Sequence, residues 1–219
     1  MRSPELVGRF DINPEVEVVK SIDLIELIDQ GIDIKELLLG AQKQKKIGKG
    51  AQAVVWLMEA TYGDHKLPFV RKTFTQARES DIQFEYGVLD RLKGISGIPR
   101  VYWHDEKSID MEYLTGIPLG RMKKTQRDMI PDRSIISFRD SVIKSIARGV
   151  INTDFNVNNI LWNAESMKLE WIDFGGVRMI NPKDMTRTDI KSVFDALRKT
   201  FPYIDLSNAY EQVYILLNQ

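Results

Sequence analysis

Val150–Gly176 reads VINTDFNVNNILWNAESMKLEWIDFGG. It holds two acidic residues, Asp154 and Asp173, each placed where a short apolar run gives way to a turn. Asn159 stands five residues after the first acid, and Gly175-Gly176 closely follow the second. The order D-x-x-x-x-N, then a strand, then D-F-G suits ATP-dependent phosphoryl transfer. In that chemistry one carboxylate takes the acceptor proton, while an amide and a second carboxylate hold Mg²⁺ on the triphosphate. Asn156, Asn158 and Asn163 crowd the same loop and read as turn residues, since asparagine tolerates turn conformations. The five-residue count selects Asn159 over Asn158 as the metal-binding amide.

Composition narrows the classes around this stretch. The chain has 219 residues, of which 43% are hydrophobic and 28% charged, an ordinary globular balance with enough length to bury a core. Lys plus Arg and Asp plus Glu number 31 each, so net charge points to neither nucleic acid nor an acidic membrane. The absence of cysteine excludes disulfides, cysteine nucleophiles and thiolate-bound metal. The two histidines, His65 and His104, give no metal pair and no Ser-His-Asp arrangement. The N-terminus interrupts its apolar residues with charges and prolines, unlike a cleavable signal peptide, and no run approaches the about 18 apolar residues of a membrane span. The expectation is a soluble, monomeric, cytoplasmic chain.

Upstream, residues 1–18 read as an extended arm. SIDLIELIDQGIDIKELLLGAQKQ then repeats helical apolar spacing, with Ile22, Leu24, Ile25, Leu27 and Ile28 as one stripe and Ile34, Leu37, Leu38 and Leu39 as another. Ser21 and Asp33 are the expected N-caps. Gly48-Lys49-Gly50-Ala51-Gln52-Ala53-Val54-Val55 matches G-x-G-x-x-G-x-V except that Ala53 replaces the third glycine. It precedes a hairpin of VVWLMEA and FVRKTF, and a strand after the glycines suits a flap over phosphates, whereas a dinucleotide fold needs a helix there. Lys72 lies in the second strand beside Arg71, and either could serve. Alternation puts Val70 and Lys72 on one face and Phe69, Arg71 and Thr73 on the other.

The next segment, ARESDIQFEYGVLDRLKGI, reads as a helix through Ile82, Phe84, Val88, Leu89 and Leu92. Glu85 has the spacing to reach Lys72, with Glu79 as its competitor. RVYWHD and SIDMEYL supply two more strands, and Thr115-Gly116-Ile117-Pro118 marks a break before helices. IISFRDSVIKSIARG places Ile136, Phe138, Val142, Ile143, Ile146 and Ala147 on one helical stripe, and RTDIKSVFDALRKTF and LSNAYEQVYILLN read as the last two helices.

Glycine loop, strand lysine, helix glutamate, D-x-x-x-x-N and D-F-G thus stand in one order, and together they resemble the protein-kinase superfamily across residues 47–200. That resemblance implies an α+β, bilobal fold. Residues 1–46 would pack on an antiparallel-sheet N-lobe of residues 47–114, followed by a reduced helical C-lobe of residues 115–219. It implies ATP and Mg²⁺ as cofactors. Gly48, Gly50, Val55 and Lys72 would lie on the nucleotide, Met111 would be the gatekeeper, and the backbones of Glu112 and Leu114 would face adenine. Asp154 would be the proton acceptor, Lys72 and Glu85 the catalytic ion pair, and Asn159 and Asp173 the metal ligands.

The departures from that pattern also inform. Asn152-Thr153-Asp154 stands where eukaryotic kinases have His-Arg-Asp, so the usual arginine partner of a phosphorylated activation loop is missing. No Ala-Pro-Glu follows the Asp-Phe-Gly. This economy resembles small bacterial and atypical kinases: the Kdo-kinase and aminoglycoside-phosphotransferase branches, the RIO and Bud types, and compact type III effector kinases. The effector comparison implies phosphorylation of serine or threonine on a protein partner, a host heat-shock chaperone of the ninety-kilodalton class, after secretion into a host cytoplasm. A sugar- or aminoglycoside-type small-molecule kinase, an ATP-binding pseudokinase and AMP transfer by the same fold are the alternatives.

Overall fold

The computed structural model describes residues 23–50, 52–76 and 78–218. The expected N-terminal arm, Ser21, Ile22 and Ala51 lie outside them. Two short helices open the described chain, α1 (Leu24–Asp29) and α2 (Lys35–Leu39). Asp23 caps α1, its Oδ1 accepting from the Glu26 N–H at 2.8 Å. Ile34, not Asp33, holds the cap position of α2, although Asp33 Oδ1 accepts from the Lys35 N–H at 2.9 Å.

The next strand, β1 (Gln42–Lys49), takes the AQKQ end that helical spacing had assigned to the helix. It leads into β2 (Ala53–Tyr62) and β3 (His65–Phe74), then α3 (Glu79–Arg91), β4 (Val101–His104) and β5 (Ser108–Glu112). These strands form one antiparallel sheet in the order β1-β2-β3-β5-β4. Its two faces are covered differently. Met58, Ala60, Leu67 and Phe69 pack on Leu24, Leu27, Ile34 and Leu38, so α1 and α2 close one face. Ile109 packs with Ile82, Val88 and Leu89 of α3 and with Leu92, which caps it, on the other. Leu39, expected on the apolar stripe of α2, is exposed instead.

After the sheet come β6 (Ile117–Pro118), a 3₁₀ turn at Leu119–Arg121, α4 (Lys124–Arg127) and α5 (Asp132–Ala147). Phe138, Val142, Ile143 and Ile146 of α5 are buried as the spacing predicted, while Ile136 faces solvent. Strands β7 (Val150–Ile151), β8 (Ile160–Asn163), β9 (Lys168–Trp171) and β10 (Arg178–Met179) follow, then α6 (Arg187–Thr200) and α7 (Ala209–Leu217). The strand expected between the two acids is therefore a hairpin, β8–β9, extended by β6 on its other edge, while β7 pairs with β10. The segment read as a break, Thr115 to Pro118, contributes β6 to that small sheet. The larger apolar core runs without interruption from α3 and Ile109 to α5, α6 and α7. The result is a mixed α/β fold built on an antiparallel sheet. Among the described residues no helix is long and apolar enough to cross a membrane.

One glycine makes the return from α5 into β7 feasible. Gly149 has φ +77°, and a Cβ there would stand 2.0 Å from the Ile180 carbonyl oxygen. Its carbonyl accepts from the Ile180 N–H at 2.8 Å, which ties β10 to the end of α5. Gly149→Ala should therefore cost roughly 2 kcal/mol, from left-handed backbone strain together with a backbone clash. Urea unfolding measures it, and an unchanged midpoint would contradict this packing.

Candidate active site

The row of paired residues Gly48, Val55, Lys72 and Ile109 crosses the sheet from β1 to β5. Side chains of directly paired residues point to the same face. Val55 and Lys72 thus share the α3 face, as does Met111, which pairs with Val70 in the register of β3 and β5. Gly48 sits opposite Val55, where a Cβ would make ordinary contact with the Val55 side chain at 3.4 Å. Gly50 turns the chain between β1 and β2, its N–H donating to the Ala53 carbonyl at 2.9 Å. Glu112 ends β5 on the opposite face, its Oε2 accepting from the Arg100 N–H at 3.0 Å, and Leu114 lies two residues beyond.

Alternation separates the two basic residues of β3. Arg71 turns to the α1–α2 side, where its Nε and Nη2 donate to Asp110 Oδ1 and Oδ2 at 2.7 and 2.6 Å. Lys72 turns to α3 and donates from Nζ to both oxygens of Glu85, at 2.7 and 2.8 Å. The same Nζ reaches Asp173 Oδ1 at 3.1 Å. Glu85 is 3% exposed, and the competitor Glu79 lies at the exposed start of α3. Burial works against the Lys72 charge, but Glu85 and Asp173 outweigh it and hold the ammonium above its ordinary range. Burial also pushes the Glu85 carboxyl up, a rise that the Lys72 ammonium on both its oxygens opposes.

Both acid-bearing loops rest on one aromatic stack. Phe155 and Phe174, each next to an acid in sequence, lie 4.9 and 4.7 Å from the Trp171 ring between centroids. Burying these rings fixes where the neighbouring Asp154 and Asp173 emerge. Asp173 has φ +70°, a conformation that costs free energy in a non-glycine residue and recurs at functional sites. Its Oδ1 also accepts from the Gly175 N–H at 3.4 Å. The Ile172 N–H donates to the Asn159 carbonyl at 2.9 Å, so the two loops are joined one residue before Asp173.

Among the described residues, the side chains that bond to Asp154 are asparagines. Asn159 Nδ2 donates to its Oδ2 at 3.0 Å and Asn156 Nδ2 to its Oδ1 at 2.9 Å. The buried Asn152 accepts the Asp154 N–H on Oδ1 at 2.6 Å. Asn156 does make turn chemistry, accepting from the Asn158 N–H at 2.8 Å, but its amide nitrogen also touches the acid. Turn statistics hid that second contact. The signal for it was the crowding of asparagines within five residues of one aspartate.

Among the described residues no group of three or more His, Cys, Asp or Glu could by itself hold a metal. Asn159 retains its side-chain Oδ1 and Asp173 its Oδ2 after the contacts above. Two oxygen ligands from the protein suit Mg²⁺, which usually takes its remaining ligands from phosphates and water.

Residues 88–200 match the ABC1 atypical kinase-like domain. A segment of 106 residues, 45% of this chain, is 31% identical to a Dictyostelium discoideum protein named as a probable serine/threonine-protein kinase, fnkB. That segment spans 20% of the relative's length. The domain match starts three residues beyond Glu85, so it takes in both acid-bearing loops and α6. The glycine turn, Lys72 and Glu85 lie ahead of it and rest on the geometry. With half of its length in that match, the chain belongs to the ABC1 atypical kinase-like domain family.

Proposed function

We propose that this chain transfers the γ-phosphoryl group of ATP to a serine or threonine hydroxyl of a protein. The observation that carries the reading is the Lys72–Glu85–Asp173 cluster, joined through Ile172 and Asn159 to Asp154. In this reading the sheet and α3 form one lobe, ending at residue 114, with α1 and α2 packed on it. Residues 115–219 form the other lobe, and the nucleotide lies between them. Gly48, Gly50, Val55 and Met111 border it, and the backbones of Glu112 and Leu114 take the adenine edge. Lys72 holds phosphate oxygens while Glu85 fixes its amine. The acceptor hydroxyl oxygen forms a bond to the γ-phosphorus as the bond to the β–γ bridging oxygen breaks, and Asp154 takes the hydroxyl proton. Asn159 and Asp173 would hold Mg²⁺, which neutralises charge developing on the phosphates.

Positioning and charge supply most of the rate in such chemistry. Glu85→Gln should keep the fold but release Lys72, lowering the transfer rate about 10²-fold. Steady-state kinetics with labelled ATP would reveal it, and a rate equal to wild type would remove Glu85 from the site. Acceptor class is tested by incubating the protein with γ-labelled ATP and cell lysate, followed by mass spectrometry of labelled species. Phosphoserine or phosphothreonine on a protein supports the reading, and label confined to a metabolite overturns the acceptor assignment. The effector variant of this reading, with a host chaperone as substrate, rests on the missing arginine before Asp154 and the missing Ala-Pro-Glu after Asp-Phe-Gly, and the same lysate experiment includes that chaperone.

A further inference from the structure

A cavity of about 790 Å³ lies in the helical part of the molecule, between the 3₁₀ turn at Leu119, the start of α5 and the segment after α6. Its size falls within the range of ligand sites. Ile130, Ile135, Val157, Phe201 and Ile204 provide apolar wall. Val157 belongs to the loop that carries Asp154, three residues upstream, so the two lie at most about 10 Å apart along the chain. Thr200, also on the wall, donates its hydroxyl to the Phe155 carbonyl next to that acid. The cavity therefore adjoins the loop on which an acceptor hydroxyl would arrive.

The rim indicates what it takes. Tyr203 is 100% exposed and Ile136 44%. Tyrosine exposed in this way is enriched in protein interfaces, and exposed apolar groups mark contact sites. Charged groups of both signs surround the mouth. Lys124, Arg127 and Lys199 take part in no ion pair among the described residues, nor do Asp128 and Asp132. A polyanion would meet the carboxylates at close range and a polycation the ammonium and guanidinium groups. A polypeptide segment of mixed charge complements both.

We propose that this cavity is the docking site of the acceptor protein. An apolar side chain of the acceptor segment seats against Val157 and Ile204, about three residues along from the hydroxyl that reaches Asp154. The proposal rests on the phosphotransfer reading above and adds where and how the substrate is recognised.

The test uses a peptide library with one fixed serine or threonine and degenerate flanks, labelled by γ-labelled ATP. Wild type should select an apolar residue at a single offset of about three positions from the acceptor. Tyr203→Ala and Ile136→Glu, both at exposed positions, should raise the peptide KM at least tenfold and flatten that selection. MgATP affinity, measured by calorimetry, reports that the variants remain folded. Labelling without apolar preference, or with the same preference and KM in both variants, overturns the proposal. Label passing to a metabolite panel and to no peptide also overturns it while leaving phosphotransfer standing. Absence of MgATP binding in wild type would remove the phosphotransfer reading and the docking site with it.

Discussion

Asp173→Ala should abolish measurable phosphoryl transfer, with a fall of about 10³-fold or more. Two contacts and a strained backbone torsion converge on this carboxylate. Lys72 Nζ lies 3.1 Å from its Oδ1, the Gly175 N–H donates to the same oxygen, and the strained φ of +70° aims it there. Removing it takes away a proposed metal ligand and leaves Lys72 with Glu85 alone. Because the side chain is largely exposed, the folded state should lose little, so the loss should fall on transfer and not on stability. The measurement pairs labelled-ATP kinetics with a urea melt of the same variant. Activity within tenfold of wild type, with unchanged stability, would sink the assignment of Asp173 as a metal ligand.

The second large effect lies on the opposite face of the sheet. Asp110 is 0% exposed and takes two bonds from Arg71, whose Nη2 also donates to the Leu38 carbonyl at 2.9 Å. The hydrogen bond to Asp110 holds the guanidinium charge more firmly than usual. Deleting one partner of a buried ion pair leaves the other charge desolvated and unmatched. Asp110→Ala should therefore cost roughly 3–5 kcal/mol. Replacing both residues with apolar side chains of similar volume should recover much of that loss. Urea unfolding of the two variants checks it, and a loss under about 1 kcal/mol in Asp110→Ala would contradict the buried-pair account. This pair also links α2 to the strand that carries Lys72, so such a variant should lose activity through Lys72.

These two residues show how far the sequence could be read. Alternation along FVRKTF was enough to send Lys72 and Arg71 to opposite faces, because strand periodicity admits little else once one face is buried. Helical spacing likewise placed Glu85 toward the sheet, since Val88, Leu89 and Leu92 had to face the same way. The partner of Arg71 was not legible. Asp110 lies in a strand 39 residues away, and only the β3–β5 register brings it opposite. The same limit hid β1. QKQKKIGK has no apolar alternation and becomes a strand by pairing with β2, a tertiary effect that overrides local pattern.

The acid-bearing loops were the most legible part, because turn residues at fixed spacing announce themselves. What supports them was less so. Trp171 had no local signal of its role, yet both Phe155 and Phe174 lean on it. Nor did spacing reveal that Asn156 would donate to Asp154 as well as form its turn. The break read at Thr115 to Pro118 looked like a plain boundary. The structure uses Ile117 and Pro118 as a strand against Trp162 and Leu161, and the larger core passes beneath it.

The most direct test of phosphotransfer is a single comparison. Wild type and Asp154→Asn are incubated with γ-labelled ATP, Mg²⁺ and lysate, and MgATP affinity is measured for each. Wild type should place label covalently on a hydroxyl, and Asp154→Asn should bind MgATP with similar affinity while transferring almost none. Tight MgATP binding by wild type with no label leaving ATP would contradict the account and make the chain a nucleotide-binding pseudokinase.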